Sequence, residues 1–380
     1  MLYNIKLDGF KSIKSMNMNL KPLNVLIGAN GAGKSNFISF FKMLNYAMSG
    51  YLQGYIGESG GADSLLHYGS RYTPKLTATL HFDTKSGENI YYLCLTSAAQ
   101  DTLIFTDEAI SFTKKGTVKA PLVSLGAGHK ESELINLIEG KSRAKTTKIN
   151  IKTAKVIKAI MERWRVYHFH DTSAQAKIKK IGYIHDNYYL RSDAGNLAAF
   201  LYMLKETKVD YYKRIVSTIR LMAPFFDDFV LQPSRYNENN ILLNWREKDS
   251  PPESIFGPHQ LSDGTLRMMA LVTLLLQPDL PELIIVDEPE LGLHPYAINV
   301  LASLLKTVSA KTQIIVSTQS VSLVDQLDPE DFIVVDREIT AEGYKSVFRR
   351  LSRDDLQEWL DEYTLGQLWE KNVLGGRPSR

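Results

Sequence analysis

The chain has 380 residues, 44% of them hydrophobic, and 45 Lys and Arg against 42 Asp and Glu give a net charge of +3. That length suggests two to three domains with enough apolar content for a substantial core, which excludes disorder as the dominant state, and the near-neutral total does not by itself advertise a nucleic-acid or membrane partner. The single cysteine, Cys94, excludes an intrachain disulfide and any multi-cysteine metal site and fits a reducing, cytoplasmic setting.

The opening MLYNIKLDGF places charges where a secretory leader needs an apolar core. Short strand-like runs at Tyr3–Leu7 and Leu23–Ile27 follow, and the second leads into a glycine-rich turn and an apolar-periodic helix over Ser35–Ala47. Residues 75–113 alternate apolar and polar with turn breaks, which predicts an antiparallel meander. Between Lys114 and Lys180 there are 16 Lys or Arg and five Asp or Glu, a local balance of +11 that leaves the rest of the chain at −8. The charge is therefore polarised along the sequence. Within that window Glu131–Glu139 and Thr153–Arg165 read as helices and Gly140–Ile151 as a basic loop. No heptad pattern is sustained, so long coiled-coil arms are not expected.

Asp193 reads as the N-cap of a helix through Lys205, and Asp210–Met222 extends the helical region. Strands are expected at Phe229–Gln232 and Asn240–Trp245. The longest largely apolar run, Met268–Leu276, has nine residues, well short of the roughly 20 a bilayer span requires.

Gly28-Ala-Asn-Gly-Ala-Gly-Lys-Ser35 matches the spacing G-x-x-x-x-G-K-[ST] between a predicted strand and a predicted helix. The glycines allow consecutive N–H groups to face phosphate oxygens at a helix N-terminus. Lys34 would reach the β- and γ-phosphates of ATP, and the Ser35 hydroxyl would ligate Mg2+. Asn30, Gly31, Ala32, Gly33 and Asn36 complete this nucleotide-binding set. Leu283–Glu290 is an apolar run ending in adjacent carboxylates, with Asp287 on the metal side and Glu288 as the general base. Between the two lies Leu261-Ser-Asp-Gly-Thr-Leu-Arg267, where Ser262 and the amides of Gly264 and Thr265 sit at a helix start. That motif reads equally as a phosphate site or as an ordinary cap.

In order, GANGAGKSN, QLSDGT, LIIVDEPELGLHP and VSTQS resemble the phosphate loop, signature, magnesium–glutamate strand, D-loop and switch segment of ABC-type ATPases. The nearest branch resembles the RecF- and SMC-related ATPases. Leu7–Ile13 is similar to that branch's G-F-K-S entry strand, and Leu365–Pro378 to the tails of its small members. The resemblance implies an α/β, ABC-type P-loop NTPase head with a mixed sheet, an antiparallel β subdomain and a helical insertion. The corresponding divisions are residues 1–113 (phosphate loop and meander), 114–225 (basic, largely helical insertion), 226–340 (signature, magnesium–glutamate strand and switch segment) and 341–380 (helical tail).

It further implies an ATP-dependent homodimer in which Ser262 and Gly264 act in trans on the partner's γ-phosphate. His294, in the D-loop segment, would then serve interface packing. Gln319 stands at the switch position that most of the family fill with histidine; its amide can hydrogen-bond the γ-phosphate but cannot share a proton with it, so turnover is expected to be slow. Gln175 is the one residue offered for the family's Q-loop.

His168 and His170 beside Asp171 could hold a metal from one strand face, but no third ligand accompanies them and a structural role is expected. His67, within Gly61–Tyr68, resembles the part of SMC-like heads that can approach nucleotide or DNA near the phosphate loop, and is expected to be a loop histidine. Lys141, Arg143, Lys145, Lys148, Lys152, Lys155 and Lys158 are the expected nucleic-acid surface, DNA or RNA, as befits DNA maintenance or antiphage defence, the alternatives being a solvated helical face or a dock for an acidic protein. The chain ends about forty residues after the ATPase core, so any nuclease or toxin is expected to be a separate partner, with the chain as its ATP-dependent scaffold in the alternative reading. No membrane contact is expected.

Overall fold

A computed structural model describes residues 1–142, 144, 147–341 and 343–376, so Arg143 and Lys145 of the basic stretch and the tail at Pro378 lie outside the described residues. The chain divides into two compact units, Met1–Trp164 with Asp328–Arg380, and Arg165–Leu327.

The first unit opens with β1 (Leu2–Phe10) and β2 (Ile13–Asn19), paired antiparallel from Asn4↔Asn19 to Phe10↔Ile13. After β3 (Leu23–Ile27) come α1 (Lys34–Met48), α2 (Leu52–Glu58) and α3 (Ala62–Leu65). The meander is β4 (Lys75–Thr84), β5 (Gly87–Ala98), β6 (Thr102–Lys114) and β7 (Val123–Gly126), and it completes a six-stranded antiparallel sheet ordered β2-β1-β4-β5-β6-β7. Period-two patterning sets its faces: Leu76, Ala78, Leu80 and Phe82 of β4 are buried while the residues between them are half-exposed.

Helix α1 presents Phe37, Phe40, Phe41 and Leu44 at helical spacing, all buried. Phe40 meets Phe10 edge-on at 5.5 Å, and Phe41 meets Trp164 at 5.4 Å. Each buried phenylalanine contributes roughly 1.5–3 kcal/mol by its transfer from water, so these rings fix the helix that begins in the phosphate loop.

Beyond the meander lie α4 (Glu133–Ile138) and α5 (Lys148–Glu162). The loop expected through Ile151 therefore ends earlier. Thr147 caps α5 by accepting the Asn150 N–H at 3.3 Å, and lysine-rich sequence tolerates helix well. The helix also stops short of Arg165, because Trp164 turns into β8 (Trp164–Tyr167) with its ring buried. His168 and His170 follow that strand rather than lying on it.

In the second unit, β9 (Gly182–Tyr183) precedes α6 (Leu197–Thr207) and α7 (Val209–Met222). Asp193 does not cap α6. Its Oδ1 accepts the Gly195 N–H at 2.9 Å and its Oδ2 pairs with Lys177 Nζ at 3.1 Å, so the carboxylate closes its own local turn. Next come β10 (Phe226–Val230), β11 (Pro233–Ser234), β12 (Asn237–Ile241) and β13 (Asn244–Glu247). The single strand expected over Asn240–Trp245 is thus two strands in different sheets, β11-β12-β9 and β10-β13, because the chain turns where Asn244 N–H donates to Leu242 O at 2.8 Å.

Helix α8 (Asp263–Leu276) is buried along most of its surface, as its nearly all-apolar sequence dictates. It leads to β14 (Leu283–Asp287), α9 (Pro295–Ser309), β15 (Gln313–Thr318) and α10 (Val321–Val324). Strands β14 and β15 run parallel from Leu283↔Gln313 to Asp287↔Ser317, and their continuous apolar runs are the pattern of parallel strands covered on both faces.

The chain returns to the first unit as β16 (Phe332–Thr340), parallel to β3, and β17 (Gly343–Arg350), antiparallel to β16. Residues 343–350, expected within a helical tail, are therefore strand; β16 supplies a full register of partners to a segment whose local pattern was too weakly apolar to signal one. Only then come α11 (Gln357–Leu360) and α12 (Leu365–Glu370).

Candidate nucleotide site

In the first unit, buried β3 delivers the chain into Gly28–Ser35 with no room for side chains at two of its glycines. A Cβ on Gly28 would lie 2.2 Å from the Val335 carbonyl oxygen, and one on Gly33, at φ +122°, would lie 2.1 Å from Ser346 Oγ. Gly31, at φ +77°, faces open space, and Asn30, Gly31 and Ser35 are exposed while Ala32 and Gly33 are buried. The loop is thus pinned from beneath and open above.

Ser346 Oγ lies 2.5 Å from Ala32 O and 2.7 Å from Ser12 Oγ, and Asn36 Nδ2 donates to Ser12 Oγ at 2.7 Å. Lys34 is buried, and its Nζ donates to the Gly28 and Ala29 carbonyls at 2.5 and 3.1 Å. No side chain caps the N-terminus of α1, so its first-turn amides stand with the macrodipole toward the open side. A glycine cradle, an uncapped 15-residue helix and an ammonium folded across the loop's own carbonyls fit a phosphate chain.

Beside Gly31 a cavity of about 250 Å³ is lined by Lys11, His67, Tyr68, Arg337 and Tyr344 among others. His67 is buried, with Nδ1 2.6 Å from Lys11 O, and the Arg337 guanidinium stands 4.0 Å from the Tyr344 ring centre. Of these residues, the sequence resemblance had placed only His67 near this loop. They come from four separate segments, and no spacing rule links them.

In the second unit, β14 ends in Asp287, and Glu288 adopts φ +43°, a conformation unfavourable by about 1–2 kcal/mol for a residue with a Cβ. Its N–H donates to Ser317 O at 2.7 Å, which holds the turn against the end of β15. Gln319, exposed just past β15, donates its side-chain amide to Glu288 Oε1. The two residues assigned to base and switch are therefore joined. Glu290, which sequence reasoning passed over, is 9% exposed, and burial pushes its carboxyl above the usual range.

Ser262 caps α8 by accepting the Thr265 N–H at 3.1 Å and is exposed. Gly264 packs so closely on the turn between β14 and α9 that a Cβ would lie 2.1 Å from Gly292 O. Arg267 donates to the carbonyls of Phe169, His170 and Leu291 at 3.1, 2.8 and 3.3 Å. Asp263 is paired with Lys179 Nζ at 3.1 Å, and that hydrogen bond holds its carboxyl below the usual range.

His170 Nε2 lies 2.9 Å from the Asp287 backbone oxygen. Gln175, the residue offered for the Q-loop, is exposed and accepts from Lys180 Nζ at 2.5 Å. His294 caps α9 through Nδ1, 3.3 Å from Tyr296 N.

Among the described residues no group of three or more His, Cys, Asp or Glu could hold a metal ion. A hydroxyl such as Ser35 and a single carboxylate such as Asp287 suit magnesium, which keeps several waters and takes few protein ligands alongside substrate phosphates.

A family model described as AAA domain, putative AbiEii toxin, Type IV TA system matches residues 157–325. The energy-coupling factor transporter ATP-binding protein EcfA of Methanocaldococcus jannaschii is 36% identical over 93 residues, which are 24% of this chain and 33% of that protein. The chain thus matches about a third of that relative's length.

Among solved structures, an SMC head bound to the C-winged helix domain of ScpA superposes with TM-score 0.58 at 15% identity, covering 93% of this chain and 99% of that one. The SMC head domain from Thermotoga maritima gives 0.45 at 13% identity over 92% and 99%. The first of these establishes the fold, a mixed α/β fold like that of an SMC head. Among the described residues no helix is long and apolar enough to cross a membrane.

Proposed function

We propose that this chain, an SMC/ABC-type P-loop ATPase, works as a head that closes on a second copy around ATP and reopens on hydrolysis. The observation that carries the proposal is the placement of Ser262: exposed, capping a buried helix, and with Gly264 wedged against the D-loop backbone. In this reading each nucleotide is held by the phosphate loop of one copy and met by Ser262 and Gly264 of the other. Lys34 leaves the Gly28 and Ala29 carbonyls for the β- and γ-phosphates. Glu288 takes the proton of the attacking water, and the Gln319 amide orients that carboxylate. Ser35 and Asp287 are the magnesium-side groups; the ion, when bound, supplies charge stabilisation for the departing phosphate.

Closure follows because the γ-phosphate adds contacts in the paired state that ADP does not make. Gln319 cannot carry the proton onward, so turnover is slow, and the chain serves as a timed switch.

Nucleic acid is the proposed partner of the basic stretch. Lys148, Lys152 and Lys155 lie on the exposed face of α5 with no carboxylate partner among the described residues, whereas Lys141 and Lys158 pair with Glu139 and Glu162. A separate nuclease or toxin partner, in DNA maintenance or antiphage defence, fits a head of this kind.

Complementation tests the pairing. Lys34→Ala and Ser262→Ala proteins should each be inactive alone, and a mixture should regain activity at no more than one site per mixed dimer. Normal hydrolysis by Ser262→Ala alone refutes completion across copies.

A further inference from the structure

We propose that Glu290 is a positioning residue for hydrolysis, holding the main chain at Thr318–Gln319 so that the Gln319 amide meets Glu288. The inference rests on the reading of Glu288 and Gln319 as the hydrolytic pair and adds a residue that neither motif nor spacing had singled out.

Glu290 lies two residues beyond Glu288 in the turn that leaves β14, and its side chain crosses to the end of β15. One oxygen, Oε1, accepts both the Thr318 hydroxyl at 2.6 Å and the Gln319 backbone N–H at 3.3 Å. Thr318 Oγ1 accepts in turn from the Ser320 N–H at 3.0 Å, and Ser320 caps α10 by accepting the Leu323 N–H at 3.2 Å. A single carboxylate therefore fixes three consecutive residues of the switch segment.

A role limited to filling the core does not explain this choice. Desolvating a carboxylate is unfavourable unless hydrogen bonds offset it, and an apolar side chain would fill the same space without that penalty. Here the compensation is incomplete, since Glu290 Oε2 is buried with no hydrogen-bond partner among the described residues. What the carboxylate does achieve is directional: it binds the backbone amide of Gln319 itself. Gln319, being exposed, has little packing to hold it, and its side chain reaches Glu288 from a backbone whose position Glu290 sets. Loss of Glu290 would leave the phosphate loop and Lys34 untouched and release the orienting amide. The effect should fall on kcat and not on KM.

A double-mutant cycle on steady-state ATP hydrolysis tests this. Glu290→Leu should lower kcat about tenfold to a hundredfold with KM unchanged, the scale of a misplaced catalytic group. In a Gln319→Ala background the same change should cost less than about threefold, because the residue it positions is already gone. Glu290→Gln keeps the Oε1 acceptor and should stay within about threefold of wild type.

Thr318→Val, which removes one of the two bonds, should show a smaller loss with the same dependence on Gln319. It supplies the cycle if Glu290→Leu does not fold. Wild-type kcat in Glu290→Leu, or equal losses with and without Gln319, overturns the inference while leaving Glu288 as base. A wild-type protein with no hydrolysis, or a Glu288→Gln protein that turns over normally, overturns the underlying reading as well.

Discussion

Glu108 offers a quantitative test of the first unit. Its side chain is fully buried in β6, where Oε1 accepts from the Tyr91 hydroxyl and from Ser132 Oγ, each at 2.6 Å, and Oε2 accepts the Glu133 N–H at 2.8 Å. His129 Nε2 stands 3.3 Å from Oε2, but burial lowers that imidazole's affinity for a proton, so at neutral pH it supplies little charge. Burial accordingly dominates over the hydrogen bonds, and the Glu108 carboxyl is pushed up from 4.5 to about 7.

A raised carboxyl pKa means the folded state holds its proton more tightly than the open chain does. The associated stability is fully present below pH 4.5, falls as pH rises between 4.5 and about 7, and is gone above that. The gap between the two values corresponds to roughly 3 kcal/mol. Glu108→Gln removes the titration. Whatever constant offset the amide introduces, the wild-type melting temperature relative to the variant should drop between pH 5 and pH 8 by roughly 5–10 °C, at about 2–4 °C per kcal/mol for a unit of this size. Thermal unfolding followed by circular dichroism at half-unit pH steps would measure it, and a difference constant across that range would refute the reasoning. The consequence reaches the proposed function, because Glu108 holds the start of α4 and α4 packs on the lysine-bearing α5.

Lys34→Ala should abolish measurable ATP binding in equilibrium titrations without altering the melting temperature of the second unit. Glu288→Gln should bind ATP normally and hydrolyse it about 10²–10⁴-fold more slowly, the usual scale of a lost general base. Lys179→Met removes the ammonium paired with Asp263 beside Ser262 and should weaken ATP-dependent pairing, with Asp263→Asn restoring it; a defect that the second change fails to correct would make Lys179 merely a structural contact. Replacing Lys148, Lys152 and Lys155 with Glu should weaken duplex binding and reduce its salt dependence by up to about three counterions. Unchanged binding would move the partner elsewhere on the molecule.

The strand, turn and helix around Gly28–Ser35 and the strand ending in Asp287 were legible in the sequence because their patterning is local. Gly28 to Ser35 carries its own spacing, and Leu283–Asp287 announces a doubly covered strand by its unbroken apolar run. The meander over residues 75–113 was also plain, since β4 alternates strictly and turn breaks separate its strands. What stayed hidden depends on distant partners. β17 becomes a strand only because β16 pairs with it, and Asn240–Trp245 divides into two strands at a local turn that leaves no mark in the hydropathy pattern.

Asp193 has the right residue type for a cap, yet its carboxylate is consumed by Gly195 and Lys177. Glu290 escaped notice for the same reason. Beside Asp287 and Glu288 it reads as one more acid in a turn, and only the fold shows that its side chain points inward to Thr318.

The most direct test of the account is the size of the Glu288→Gln protein in solution with ATP and magnesium, with ADP and magnesium, and with neither, measured by light scattering after gel filtration. The account predicts a dimer with ATP alone and monomers otherwise, and predicts that adding Ser262→Ala returns the ATP sample to monomer. A protein of constant mass under all three conditions, binding ATP all the while, would contradict it.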